Sequence, residues 1–216
     1  MKNILLIGIG RFGYHIAEEL SKLNVEILAV DTNEELLRGV SSFVSKTLIG
    51  DCADIDFVKS IGVNTFDECI VSIGDDFQNS LETVLNLKEL GAKKITARAS
   101  KESQKKLLQK TGADFVVYPE EQLAKWTALR CGTNSIFDFM DLDDGYGVFE
   151  IEVPKNWIGK TLVELDLRKK HNISIIGVKI RGKINVVLGP NFILKEGENL
   201  LVISKIDEAG KLFNKF

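Results

Sequence analysis

The sequence predicts an α/β chain: a doubly wound parallel sheet with strand order 3-2-1-4-5-6, followed by a small α+β domain. Three observations carry that expectation. Short continuous apolar runs alternate with stretches of helical periodicity from Asn3 to Cys131, the pattern of strands buried on both faces with helices packed against them. A glycine-rich segment separates the first run from the first helical stretch. Beyond Gly132 the alternation stops and shorter β-like runs take over.

The elements follow in order. Asn3 to Ile7 is a continuous apolar strand, and from Phe12 to Leu23 the rhythm becomes helical, with Ile16, Leu20 and Leu23 on one face. The unit repeats as strand Glu26 to Val30 with helix Glu34 to Val40, then strand Val44 to Ile49 with helix Ile55 to Ile61. Thr32 and Glu35 are spaced as a capping box for the second helix. The other half reads strand Glu68 to Ser72, helix Phe77 to Leu90, strand Lys94 to Arg98, helix Lys101 to Lys110, strand Asp114 to Tyr118 and a helix from about Glu120 to Cys131. Gly91 and Gly112 stand between a helix and the next strand, where positive φ is expected. In this arrangement the first strand is central, and ligands lie across the carboxyl ends of the strands where the order reverses.

Residues 1–133 are thus the expected nucleotide-binding domain, 134–147 a connection, and 148–216 a small second domain. The connection has no clear period: Asp138, Asp141, Asp143 and Asp144 fall among Ile136, Phe137, Phe139, Met140 and Leu142. After it come β-like runs Val148 to Val153, Ile173 to Ile180, Lys183 to Leu188 and Asn199 to Ser204, with helices at Thr161 to Leu167 and Asp207 to Phe213. So small a unit is at the low end of what buries an adequate core alone, so pairing with a second copy is expected.

Composition narrows the function. With 216 residues, 44% hydrophobic, 27% charged and only three prolines, the chain is expected to be folded and soluble. Its 28 Lys and Arg against 31 Asp and Glu give a formal charge of -3, which supplies no field for a nucleic-acid backbone. Cys52, Cys69 and Cys131 are too few and too scattered for a disulfide framework or thiolate metal site, which points to a reducing cytoplasm. The apolar start MKNILLIGIG stops at Arg11 without a cleavage site, and no run approaches the roughly 18 apolar residues of a membrane span. Neither membrane crossing nor export is expected.

The chemistry concentrates in Gly8-Ile9-Gly10-Arg11-Phe12-Gly13, a G-x-G-x-x-G segment after a strand and before a helix, with Asp31 closing the second strand 18 residues beyond Gly13. This is the Rossmann dinucleotide fingerprint. Gly8 allows the tight turn, Gly10 lets the backbone approach a pyrophosphate, Gly13 allows close helix packing, and the helix N-terminus offers free amides. The Asp31 carboxylate can accept from both ribose hydroxyls and repels a 2′-phosphate, so NADP is disfavoured. Arg11 either pairs with a phosphate or is solvated. Asp51, after Gly50, either accepts from an adenine amino group or caps a helix, and Ser72, Ile73 and Gly74 either line ribose and base or form a structural turn. Phe12, Thr32 and Cys52 adjoin these positions and are counted with the site.

A dehydrogenase needs an acid, base or metal beside the nicotinamide, and no such arrangement is recognisable: His15 lies on the first helix and His171 in the second unit. A non-enzymatic role is expected, with a small NAD-dependent oxidoreductase as the alternative. The helix near Glu120 is apolar on more than one side: Leu123, Thr127 and Cys131 form one stripe while Trp126, Leu129 and Arg130 extend round another. One sheet cannot cover both, so a partner subunit or the next domain is expected there. Glu120 and Glu121 either coordinate a cation beside phosphates or serve as cap and solvated acid.

Taken with Ala97-Arg98-Ala99, Gly112-Ala113-Asp114, Tyr118-Pro119-Glu120, Ile158-Gly159-Lys160-Thr161-Leu162 and Gly197-Glu198-Asn199-Leu200, these residues make the chain resemble TrkA/KtrA-type regulators of potassium conductance over nearly its whole length. The resemblance implies a cytoplasmic subunit, peripheral to the inner face of the membrane, that works with a TrkH/KtrB-type potassium channel subunit. It further implies a homodimer assembling to an octameric ring, and no nucleic-acid partner. It assigns phosphates to Gly8, Gly10 and Gly13, ribose to Asp31, the adenine side to Asp51, phosphate to Arg11, a strand-five arginine to Arg98, and a nucleotide-linked divalent cation such as Mg to Glu120. The implied ligands are AMP, ADP, ATP or NAD(H), with cyclic di-AMP in the C-terminal domain of some relatives; Arg11 and Glu120 favour the adenine mono-, di- and triphosphates.

Overall fold

The structure, a computed structural model, describes residues 1–132, 136–142 and 144–213. The first half reads β1 (Lys2–Ile7), α1 (Arg11–Ser21), β2 (Val25–Asp31), α2 (Glu34–Val40), β3 (Lys46–Ile49), α3 (Ile55–Ile61), β4 (Glu68–Val71), α4 (Phe77–Glu89), β5 (Ile95–Arg98), α5 (Glu102–Thr111), β6 (Phe115–Val117) and α6 (Pro119–Gly132). The six strands form a sheet of order β3-β2-β1-β4-β5-β6, and every neighbouring pair is parallel. This is the expected doubly wound order.

The unbroken apolar run of β1 follows from its central place. Ile4, Leu5, Leu6 and Ile7 are all buried; Leu5 and Ile7 join Val30, Val71, Val84 and Leu87 in one core, while Leu6 joins Ile27, Ala29, Leu37 and Ala17 in another. Successive side chains point to opposite faces, so both faces must be apolar. Each such burial contributes roughly 1.5–3 kcal/mol. Gly91 and Gly112 have the expected positive φ. The cap of α2 differs from expectation: the helix starts at Glu34, so the adjacent Asn33 is the cap, its side chain accepting from Glu35 N at 2.9 Å.

The second half reads β7 (Ile136–Asp141), β8 (Tyr146–Glu152), α7 (Leu162–Leu165), α8 (Leu167–His171), β9 (Ser174–Ile180), β10 (Lys183–Asn185), β11 (Asn199–Lys205) and α9 (Ile206–Phe213). Its sheet has order β10-β9-β11-β8-β7 and is antiparallel throughout. Phe149, Ile151, Val178, Leu200 and Val202 are fully buried between this sheet and the helices around Leu165, Leu167 and Ala209. The expected helix at Thr161 to Leu167 is broken at Asp166, whose φ is 45°, into α7 and α8; Thr161 and Glu164 close a capping box on α7.

The chain divides into compact units Met1–Glu120 and Glu121–Phe216, beside expected bounds of 1–133 and 148–216. Residues 133–135 and Asp143 lie outside the described residues. The stretch expected as a connection, 134–147, carries β7, paired with β8. A register shift between Ile136 and Asp138 breaks its alternation, which is why its sequence shows no clean period of two. Ile136 is buried and Phe139 packs on Phe149 with ring centroids 5.1 Å apart.

Candidate functional site

The glycine segment leaves β1 in a turn that only part of its sequence is forced to adopt. Gly8 has φ +87°, donates its amide to Val30 O at 2.8 Å, and has Ile73 N and Cγ1 where a Cβ would come within 3.1 and 3.0 Å. Gly13, inside α1, is packed so closely that a Cβ would overlap Gly8 O and lie 2.7 Å from Ser72 Oγ. The Ser72 hydroxyl, 3% exposed, donates to Gly8 O with Ile7 O 3.0 Å away, tying the end of β4 to the loop. Gly10 is different: its φ of −67° and ψ of −170° suit any residue, and a Cβ there would meet no protein atom within 4 Å. The fold requires Gly8 and Gly13 to be glycine and makes no such demand at Gly10.

Gly10 is also the N-cap of α1, with no side-chain cap and no acidic residue in the first turn. The free amides of that turn carry the positive end of the helix dipole, an anion-binding arrangement. Arg11, exposed, and Arg98 stand on the same cavity, of 350 Å³ at the carboxyl ends of β1, β2, β3 and β4. Gly8, Gly10, Thr32, Asp31, Asp51, Cys52, Ser72, Ile73 and Gly74 line it too, so eleven of the thirteen positions expected to bind nucleotide are brought together. Phe12 and Gly13 do not line it. Phe12 lies beneath the Arg98 guanidinium, 5.4 Å from ring centroid to Cζ, and Gly13 serves the loop packing.

The acidic side of the cavity is built from two strand ends. Asp31 Oδ2 accepts from Ile9 N at 2.6 Å and Oδ1 from Asn33 N at 2.8 Å, so this carboxylate fixes the loop while each oxygen retains acceptor capacity for a hydroxyl. Asp51 Oδ1 accepts from Ala53 N at 2.9 Å and from Asn79 Nδ2 at 3.0 Å. Asn79, Asp75 and Asp76 line the cavity and are additions to the expected binding positions; Asp76 caps α4 by accepting from Asn79 N at 3.0 Å. Deeper on α4, Asn86 Nδ2 donates to Cys52 O at 3.1 Å and Ala53 O at 2.9 Å, holding the turn that carries Asp51. Burial, followed by the Asp51 charge, pushes the Cys52 thiol up to about 12, so it is a neutral wall group.

Arg98 Nη2 donates to Glu120 Oε1 at 2.6 Å. The Glu120 carboxyl is held below its ordinary range first by its own backbone N–H at the start of α6 and then by Arg98 and Arg11. Glu120 therefore uses its carboxylate on a guanidinium, and among the described residues no group of three or more His, Cys, Asp or Glu could hold a metal ion. Two further cavities, of 430 and 420 Å³, lie in the second unit; the larger has Leu162, Arg168, Ile173 and Pro190 on its wall. They lack the convergence of strand ends, helix amides and paired acids found here. Neither His15 nor His171 lines any of these three cavities.

Comparison with known proteins identifies the family. The TrkA-N domain model matches residues 4–119 and the TrkA-C domain model residues 148–216. The chain belongs to the TrkA family. Among its relatives, Ktr system potassium uptake protein C of Bacillus subtilis is 35% identical over 212 residues, covering 97% of this chain and 95% of that protein. Ktr system potassium uptake protein A of the same organism is 31% identical, covering 99% and 96%. Among solved structures, the RCK domain of GsuK superposes with TM-score 0.66 at 20% identity over 98% of this chain and 47% of that one. The GsuK channel superposes with TM-score 0.71 at 21% identity over 98% and 38%. This TrkA-family chain thus spans less than half of either solved chain, and at that identity the likeness establishes the fold. Among the described residues no helix is long and apolar enough to cross a membrane.

Proposed function

We propose that this chain is a cytoplasmic, nucleotide-sensing regulatory subunit of a Trk/Ktr-type potassium uptake system, acting on a membrane potassium channel subunit of TrkH/KtrB type. The observation that carries the ligand reading is Gly10, a glycine that neither backbone angle nor packing demands, at the start of α1 where no side chain caps the helix and on the wall of a cavity. The residues fit a nucleotide. In this reading the α1 amides, Arg11 and Arg98 receive phosphates, Asp31 receives the ribose hydroxyls, and Asp51 faces the adenine side. AMP, ADP, ATP and NAD(H) all meet these requirements, and the two arginines favour ligands rich in phosphate charge. The partner reading is supported by full-length similarity to two Ktr system potassium uptake proteins.

A regulatory subunit acts by having more than one arrangement and a ligand that binds them unequally. No side chain of α6 is buried within the chain, and Leu123 is 63% exposed; in the same unit Met140 is 62% exposed. These surfaces support pairing with a second copy, and pairs assembling into an octameric ring fit the same reading. Nucleotides of different phosphate charge then favour different angles between paired units, and the ring passes the difference to the channel. A second effector of the cyclic di-AMP type would belong to the 430 Å³ cavity of the second unit. Potassium flux through vesicles containing the channel subunit and this protein tests the proposal. Flux should differ between ATP, ADP, NADH and no nucleotide; identical flux in all four would overturn it.

A further inference from the structure

Two cations face the phosphate end of the cavity, and one of them is already engaged. Arg98 leaves β5 beside Gly74, whose missing Cβ makes room for it: a methyl there would stand 2.5 Å from Nη1. Its planar guanidinium rests near Phe12, its side chain as a whole is 20% exposed, and its Nε is buried with no hydrogen-bond partner. One Nη2 proton goes to Glu120 Oε1 at 2.6 Å. Glu120 is 54% exposed and belongs to the first turn of α6, outside the cavity wall. The guanidinium thus has one end on a carboxylate at the protein surface and lines a cavity whose other walls offer the amides of α1.

A carboxylate and a phosphate make the same demand on a guanidinium: a pair of anionic oxygens in its plane. With its Nε enclosed, Arg98 has four Nη hydrogens to offer; Glu120 takes one of them on Nη2, and its negative charge offsets part of the guanidinium charge that a phosphate at the remaining donors would feel. We propose that Glu120 is a built-in competitor for Arg98, and so sets how strongly the site discriminates between adenine ligands by their phosphates. A nucleoside that ends at the ribose meets Asp31 and Asp51 and leaves the pair undisturbed. A nucleotide whose phosphates extend to Arg98 binds beside the Glu120 carboxylate, whose negative charge opposes theirs. This rests on the nucleotide reading above and deepens it.

The test is calorimetric titration of the full-length protein with adenosine, AMP, ADP and ATP at low salt in EDTA, for wild type, Glu120→Gln, Arg98→Gln and the double variant. Glu120→Gln should tighten binding of the phosphate ligand that reaches Arg98 by about two- to fivefold, the range expected of a partly exposed ion pair, with adenosine unchanged. That gain should shrink at high salt and be absent when Arg98→Gln is also present. Arg98→Gln alone should narrow the ADP-to-adenosine affinity ratio. Thermal unfolding of each variant establishes that it is folded, and Arg98→Lys, which retains the charge, replaces Arg98→Gln if that variant is not. Weaker ADP binding in Glu120→Gln, equal gains for ADP and adenosine, or a gain that survives loss of Arg98 would overturn the competition while leaving the nucleotide site standing. No gain in EDTA, together with weaker nucleotide binding than wild type once Mg replaces the EDTA, would assign Glu120 to a cation instead. Wild type that binds neither adenosine nor any nucleotide, NADH included, would overturn both readings.

Discussion

Gly10→Ala and Gly13→Ala separate what the glycine segment does for the fold from what it does for a ligand. At Gly10 the backbone is in an ordinary extended conformation and the new methyl meets no protein atom within 4 Å. Removing glycine's extra freedom from the unfolded chain contributes about 0.4–1 kcal/mol, which alanine's poorer fit at the N-cap of α1 offsets by a similar amount, so Tm should stay within about 2 °C of the parent chain. The same methyl occupies the space a pyrophosphate must approach, so affinity should fall at least tenfold, or about 1.4 kcal/mol. At Gly13 the methyl runs into Gly8 O and lies 2.7 Å from the buried Ser72 hydroxyl. Neither can move without loosening the tie between β1 and β4, so an overpacking cost of about 1–3 kcal/mol is expected, lowering Tm by roughly 3–10 °C. Thermal unfolding without ligand and calorimetric titration with ADP give both numbers for both variants. Unchanged ADP affinity in Gly10→Ala would refute the reasoning about that position, and an unchanged Tm in Gly13→Ala would refute the packing.

Three further outcomes are expected. Asp31→Ala should weaken nucleotide binding and also lower Tm, because Ile9 N, in a residue 1% exposed, loses its acceptor at a cost of roughly 1–3 kcal/mol; calorimetry and thermal unfolding read the two effects, and a normal Tm would argue against the tether. Asn86→Ala removes the donor to Cys52 O and Ala53 O and should destabilise by about 1–3 kcal/mol while reducing ADP affinity, since the freed turn carries Asp51. Cys52 and Cys69 have thiols pushed from 9.0 up to about 12, chiefly by burial. The folded chain keeps protons that the unfolded chain releases, so their contribution to stability is intact below about pH 9 and declines as pH rises from there toward 12. Urea midpoints should fall across that window, less so in a Cys52→Ala, Cys69→Ala variant, and in native protein only the exposed Cys131 should react with a thiol reagent.

Elements defined by periodicity were legible in the sequence because burial writes itself into consecutive residues. β1 shows this best, since a central strand must be apolar on both faces. β7 escaped for the complementary reason: a register shift puts one residue out of phase and leaves Phe137 46% exposed in a strand where only Ile136 is buried. The strand-end residues Asp31, Asp51 and Ser72 could be placed on one rim because strand order alone decides which ends meet. Asn79 and Asn86 could not, since their significance lies in distances to Asp51, Cys52 and Ala53 that no spacing along the chain encodes. Arg98 and Glu120 were each visible as charged residues; that they neutralise one another depends on how β5 and the start of α6 emerge from the sheet.

The pairing of β1 with β4 has a consequence in time. Leu5 stands beside Cys69, a separation of 64 residues, whereas its partner on the other side is Leu28. Closing the longer excursion requires the chain to give up more freedom before any contact is gained, which makes it a late step in forming the sheet. Ser72, Ile73 and Gly74 arrive only with that step, so a nucleotide meets its complete cradle after the unit has already assembled. Bound nucleotide should then slow unfolding and leave the refolding rate almost untouched, making the ligand a guard of the finished molecule with no part in building it.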